Sequence, residues 1–188
     1  MSGGGFTLLE MVIVIAIIAV MTGGVVSLMV YNTSKKKLQR TGGEVEAFAK
    51  RARAIAILRQ TPYALEFHNG TVRLSPWVEA GIEDPEELAE IIAREEMTED
   101  GEQVRPASIP VRDEFSLDED MVIGVRRWGS EELIVFDNER TRVAWRFDPN
   151  GLCEPISVRY EIDEGKSWLE QDYHPLTASV RDYTMEAK

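Results

Sequence analysis

Between Met11 and Val30 the chain carries no charged residue, and eleven of those twenty positions are Val, Ile or Leu. A helix that is apolar on every side offers no face to water and must be buried all round. About twenty helical residues span the hydrocarbon core of a bilayer. At a few tenths of a kcal/mol per branched aliphatic residue, insertion gains roughly 3–6 kcal/mol, less small costs at Thr22, Gly23, Gly24 and Ser27. Residues 6–31 are therefore expected to form a transmembrane helix. A cleaved secretory signal fits less well, because its apolar core usually runs about 7–15 residues and ends at a small-residue cut site. This run is longer, and no clear site of that kind ends it.

One carboxylate sits inside the segment. Glu10 lies four positions after Phe6. An ionised carboxylate costs roughly 2.5–3.5 kcal/mol at mid-membrane and less near the edge. The plain reading places Glu10 in the interfacial zone at the cytoplasmic end. The functional reading gives it a partner: a new α-amino group released by a cut between Gly5 and Phe6. In an assembled filament that cation would come from a neighbouring subunit. Such a pairing would set register, because a carboxylate left alone in a helix bundle is strongly disfavoured.

The net charge of −12 is unevenly spread. Residues 1–34 carry only Glu10. Residues 35–60 carry eight Lys or Arg against Glu44 and Glu46, and the remaining 128 residues carry 13 basic and 30 acidic groups, a net −17. An acidic head does not attract phosphate backbones, so no nucleic-acid partner is expected. The single cysteine, Cys153, permits no internal disulfide and reads as a small buried residue.

The helix is expected to continue as an amphipathic segment over residues 32–60. Leu38, Val45, Phe48, Ala49, Ala52, Ile55 and Ala56 recur at spacings that share one helix face, and that face would lie on the head domain. Gly42-Gly43 weakens the helix by about 1 kcal/mol per glycine and marks a possible bend, and Pro62 ends it.

Residues 61–188 form the head. Tyr63–His68 alternates, Asn69-Gly70 follows, and Thr71–Leu74 resumes, which is a strong hairpin signal. Further strands are expected at 121–125, 133–136, 143–147, 156–162 and 167–172, with turns at Pro149-Asn150-Gly151 and Glu164-Gly165. Short linkers favour antiparallel pairing. The expected fold class is α+β: one long N-terminal helix on an antiparallel sheet or sandwich.

Residues 75–120 read as an acidic insertion. Asp84-Pro85-Glu86-Glu87 has the form of a helix start, with a short surface helix running to about Met97. Residues 79–102 hold eleven acids and one base, Arg94, the pattern of a solvated face or of a docking surface for a basic partner.

No Gly-x-Ser-x-Gly, HExxH, CxxC or phosphate-loop pattern occurs, so no enzyme and no catalytic residue is expected. His68 and His174 lack a third nitrogen or thiol ligand nearby in sequence, which argues against a metal site. Asp148, Asn150 and Glu154 could offer oxygens to calcium, but they lack the spaced acids of a full loop and read as a turn.

The stretch Gly5-Phe6-Thr7-Leu8-Leu9-Glu10 with its apolar run resembles the class III leader and N-terminus of type IV pilins and type II secretion pseudopilins. The resemblance implies removal of leader residues 1–5 by a prepilin peptidase, N-methylation of Phe6, and a role for Glu10 in recruitment and packing. Across nearly its full length the chain resembles the H-type minor pseudopilin of the type II secretion system. The carrying features are Arg59-Gln60-Thr61-Pro62-Tyr63-Ala64-Leu65-Glu66-Phe67 and Trp145-Arg146-Phe147-Asp148-Pro149-Asn150-Gly151. That resemblance implies a β-sandwich head and a structural subunit near the tip of a short periplasmic pseudopilus, which helps export folded proteins across the outer membrane. Its partners would be other pseudopilin subunits, the prepilin peptidase and an inner-membrane assembly platform. It would cross the bacterial inner membrane once, with its head in the periplasm and no cofactor.

Two rivals use the same N-terminus. One is a minor pilin of a type IV pilus or competence system, although DNA-binding members need basic heads and this head is acidic. The other is a membrane-anchored periplasmic binding domain that never polymerises. Three features depart from the family pattern. The leader lacks Lys and Arg, while Lys35-Lys36-Lys37 follow the span, opposite to the positive-inside rule. Either other insertion signals dominate or the true start lies upstream of Met1. No proline occurs near position 27, where many pilins bend, and residues 75–120 have no counterpart in a compact head.

Overall fold

The computed structural model describes residues 8–68, 70–82, 86, 87, 89, 90, 93, 110–136 and 141–187; within the helix, side chains are described over 8–19 and from 33 onward. One helix, α1, runs Leu8–Arg59, 52 residues, or about 78 Å at 1.5 Å per residue. At its end Gln60 turns into the left-handed region at φ 56°, and its Nε2 donates to the Ile57 carbonyl at 2.7 Å. That bond satisfies one of the carbonyls a helix end leaves without an intrahelical donor.

Among the described residues nine strands follow: β1 Tyr63–His68, β2 Thr71–Pro76, β3 Asp113–Ser116, β4 Val122–Arg127, β5 Ile134–Val135, β6 Arg142–Phe147, β7 Ile156–Ile162, β8 Ser167–Tyr173 and β9 Val180–Glu186. They form two antiparallel sheets, ordered β3-β2-β1-β6 and β5-β4-β7-β8-β9. The β1–β2 hairpin has the expected register, with His68 opposite Thr71 and Gly70 at φ +72°. A side chain there would meet the steric penalty of positive φ, which glycine escapes. Asn69, the other turn residue, lies outside the described residues.

The inner faces of both sheets and one face of α1 enclose a single core. Tyr63, Leu65 and Phe67 of β1 alternate inward with Val72 and Leu74 of β2, and Val143, Trp145 and Phe147 of β6 meet Tyr160 and Tyr173 from the second sheet. Trp145 packs edge-on against Tyr173 with ring centroids 5.0 Å apart, and its Nε1 donates to the Glu154 carbonyl at 2.7 Å. A buried indole needs such a partner for its N–H. On α1, Leu38, Val45, Ala49, Ala52 and Ala56 are buried, and Phe48 and Ile55 pack at the margin, as their spacing predicts.

Several boundaries differ from the sequence expectation. The strand read as 121–125 runs Val122–Arg127, and the one read as 133–136 is the two-residue β5. Two strands carry no sequence signal of the expected kind. β9 is an edge strand with mostly exposed residues, so no apolar alternation marks it. β3 lies inside the expected 75–120 insertion and places only Phe115 among its apolar residues. Within the same stretch, Glu79 does not join the solvated acidic face: it is buried, because the Arg112 guanidinium meets both its carboxylate oxygens at 2.7–3.1 Å. A paired carboxylate tolerates burial where a lone one does not. Of the expected short helix, the described residues Glu86, Glu87, Ala89, Glu90 and Ala93 are helical and exposed.

Candidate assembly region

The first part of α1 projects apolar side chains in all directions. Leu8, Leu9, Met11, Val12, Ile13, Val14, Ile15, Ile17 and Ile18 are all exposed, from 46% at Val14 to 84% at Leu8. Among the described residues none covers them. At roughly 25 cal/mol per Å² of apolar surface removed from water, such a segment is driven into a bilayer or against other helices. Among the described residues no helix is long and apolar enough to cross a membrane, and the described side chains of the apolar run stop at Ala19.

Glu10 stands in the first described turn of α1, exposed among these aliphatic side chains. Gly5 and Phe6, where cleavage and methylation are expected, lie outside the described residues.

From residue 33 onward the helix is fastened to the head along its length. Ser34 Oγ donates to Asp163 Oδ2 at 3.1 Å, and Lys37 Nζ donates to both oxygens of Asp120 at 2.9 and 3.1 Å. The Asp120 hydrogen bond raises the Lys37 ammonium above its usual pKa, and the same bond holds the Asp120 carboxyl below its own. Midway, Glu46 accepts the Val180 N–H at 3.2 Å and pairs with Lys50 at 2.7 Å. Arg51 pairs with Asp113 of β3. Near the helix end, Arg53 Nε donates to the Gly151 carbonyl at 2.9 Å.

Two glycines set how closely these parts approach. A Cβ on Gly42 would lie 2.8 Å from the Gln171 side-chain amide, so the residue read as a helix weakener is also where β8 presses against α1. A Cβ on Gly151, at φ +83°, would lie 3.1 Å from both Arg53 and Ile57. The Pro149-Asn150-Gly151 segment is the expected turn, with Gly151 N–H donating to the Asp148 carbonyl at 2.9 Å. Beneath Gly42, Gln171 accepts the Tyr173 hydroxyl at 3.0 Å, and Tyr173 meets Tyr160 at 3.4 Å. Burial pushes both phenols well above their usual pKa.

The remaining candidate groups are occupied by structure. Asp148 pairs with Arg146 and Glu154 with Arg127, each at 2.8 Å. His174 Nδ1 accepts the Leu176 N–H at 3.1 Å within a local turn, and His68 ends β1 half-buried. Burial pushes the Cys153 thiol up to about 11, which keeps it protonated and poorly nucleophilic. Among the described residues no group of three or more His, Cys, Asp or Glu is placed to hold a metal ion.

The contacts that join α1 to the head from Ser34 to Arg53 could not be read from sequence, because each links residues dozens of positions apart. Only the basic character of residues 35–60 against an acidic head hinted at them.

Residues 2–26 match the prokaryotic N-terminal methylation motif. No curated protein and no solved structure matches the chain. The motif match supports a type IV pilin-like protein. Such a protein is processed by a prepilin peptidase and assembles into a pilin-type filament, and family members serve as structural subunits. The α+β fold, with an N-terminal helix on antiparallel sheets, is consistent with that.

Proposed function

We propose that the chain is an H-type minor pseudopilin of a type II secretion system, a structural subunit in the export of folded proteins across the outer membrane. The match of residues 2–26 to the methylation motif carries the filament part of this reading. The type II assignment rests on the resemblance of Arg59–Phe67 and Trp145–Gly151 to that family. The net −17 of residues 61–188 supports secretion over DNA uptake, since a DNA-capturing head needs a basic surface.

In this account, cleavage between Gly5 and Phe6 creates an α-amino group at the start of an apolar helix. Residues 6–31 hold the subunit in the inner membrane, with the head in the periplasm, until the assembly platform draws it into the filament. There the Glu10 carboxylate meets the Phe6 ammonium of a neighbour. Each charge makes the other tolerable in an apolar bundle, and a shifted register leaves both without compensation. The contacts from Ser34 to Arg53 transmit the helix position to the head.

The test is Glu10→Ala in the producing cell. Export of secreted proteins should fall while the variant still fractionates with the inner membrane. Loss of piliation or DNA uptake with export intact would favour a minor pilin instead. Unchanged export and unchanged piliation would contradict the role given to Glu10.

A further inference from the structure

Three lysines stand where α1 leaves its apolar run, and they differ in what they meet. Successive helical residues point about 100° apart, so Lys35, Lys36 and Lys37 fan around the axis. Lys37 reaches the head, where it bonds both oxygens of Asp120 and lies 3.8 Å from Asp118. Lys36 sits midway between Ser34 and Leu38, both buried against the head, so it projects from the far side of the helix. Lys36 is exposed and Lys35 is half-buried. Among the described residues neither of these two makes an ion pair.

Their height along the helix indicates a partner. Tyr31 ends the segment expected in the membrane, and Lys35 and Lys36 follow it by four and five residues. At 1.5 Å per residue they stand about 6–7.5 Å beyond the hydrocarbon, within a headgroup layer about 5–8 Å thick. A lysine stem lies along apolar surface while its ammonium reaches the polar layer. The nearest acids of the head do not compete for these two cations. Asp120 is taken by Lys37, and Asp163 accepts the Ser34 hydroxyl on the opposite side of the helix. Membrane topology does not account for the lysines either. Bases beside a span favour the cytoplasmic side, so on the side of the translocated head they work against the orientation.

We propose that Lys35 and Lys36 bind the headgroup phosphates of anionic phospholipid on the head's side of the membrane, while Lys37 fastens the helix to the head. The proposal rests on the reading that residues 6–31 lie in the inner membrane, and not on which subunit class the chain belongs to. The two contacts fix the depth of α1 in the bilayer. They are released when the subunit moves into a filament.

Lipid competition on the full-length protein tests this. The chain is purified in detergent, mixed with equal amounts of phosphatidylglycerol and phosphatidylcholine, and its lipid adducts are counted by native mass spectrometry. Phosphatidylglycerol should be preferred about fivefold for each lysine engaged, which corresponds to about 1 kcal/mol per cation at an anionic surface. Lys35→Gln with Lys36→Gln should bring the ratio to about one and leave thermal unfolding unchanged, since neither side chain pairs with the head. Lys35→Arg with Lys36→Arg should keep the preference. Lys50→Gln with Arg51→Gln removes the same charge about 21 Å farther along α1 and should leave the ratio unaltered. Inorganic phosphate should not displace the bound lipid, which separates a headgroup held at the membrane edge from a free anion. No preference in the unaltered chain, equal loss in both glutamine pairs, or displacement by phosphate overturns the proposal. Fractionation of the unaltered chain reads the underlying assumption separately. A chain that sediments with inner membranes but shows no lipid preference loses this contact alone, whereas a chain released without detergent removes the membrane reading itself.

Discussion

Gly42 of the helix and Gln171 of β8 stand so close that a methyl group on Gly42 would lie 2.8 Å from the Gln171 amide. Gln171 is itself buried and accepts the Tyr173 hydroxyl, so moving its amide aside costs that hydrogen bond. Its neighbour Gly43 has nothing within 4 Å of the same position. Two adjacent glycines in one helix therefore answer opposite demands.

The pair gives substitutions of opposite sign. Gly43→Ala should stabilise the head by about 0.5–1 kcal/mol, the helix-propensity gain at an exposed site. Gly42→Ala has the same gain but displaces Gln171 from a buried hydrogen bond and overfills the contact. It should lose a net ~1 kcal/mol, and Gly42→Leu roughly 3. Thermal unfolding of the detergent-solubilised full chain reads both. Equal shifts for the two alanine variants would show that β8 does not press on Gly42.

Glu66 makes a second prediction. Its side chain is 2% exposed and bridges Arg73 at 2.8 Å and Arg142 at 3.1 Å on the outer face of the first sheet. Glu66→Ala leaves two half-buried guanidinium groups facing each other and should cost about 3–5 kcal/mol, the usual penalty for breaking a buried pair from one side. The triple variant that adds Arg73→Met and Arg142→Met to Glu66→Ala should recover much of that loss. A single-variant cost below about 1 kcal/mol in denaturant unfolding would mean the bridge is solvated.

The head should also weaken in alkali. Cys153 has its thiol raised to about 11 from a reference of 9.0, and Tyr160 and Tyr173 are raised in the same direction by burial. Groups with raised folded pKa values bind protons more tightly when folded. Their contribution is fully present below the unfolded pKa and is lost as pH rises through the folded one. Stability should thus hold to about pH 9 and fall above it. At pH 8 the folded thiol should alkylate about a hundredfold more slowly than in urea, from thiolate fraction alone. Equal rates would place Cys153 at the surface.

Much of the fold was legible because its signals were local. The uncharged run, the stripe from Leu38 to Ala56 and the alternation around Asn69-Gly70 each specify one element from adjacent residues. β9 escaped because an exposed edge strand is recognised by its hydrogen bonds to β8, not by an apolar face. β3 escaped because Asp113 and Glu114 read as acidic loop until Arg51 and β2 are placed beside them. Glu79 looked like a surface acid for the same reason: its partner Arg112 lies 33 positions away. At the candidate site, Glu10 was visible in sequence as the one carboxylate in an apolar helix. The fastening of that helix to the head was not, since Ser34 and Asp163 are 129 positions apart.

A cut between Gly5 and Phe6 creates the cation proposed to meet Glu10, so the proposed assembly depends most on that cut. Mass spectrometry of the mature protein purified from its own membranes measures this directly. The expected result is a chain beginning at Phe6 with a methylated α-amino group. A chain that retains Met1, or one cut beyond residue 20, would contradict it.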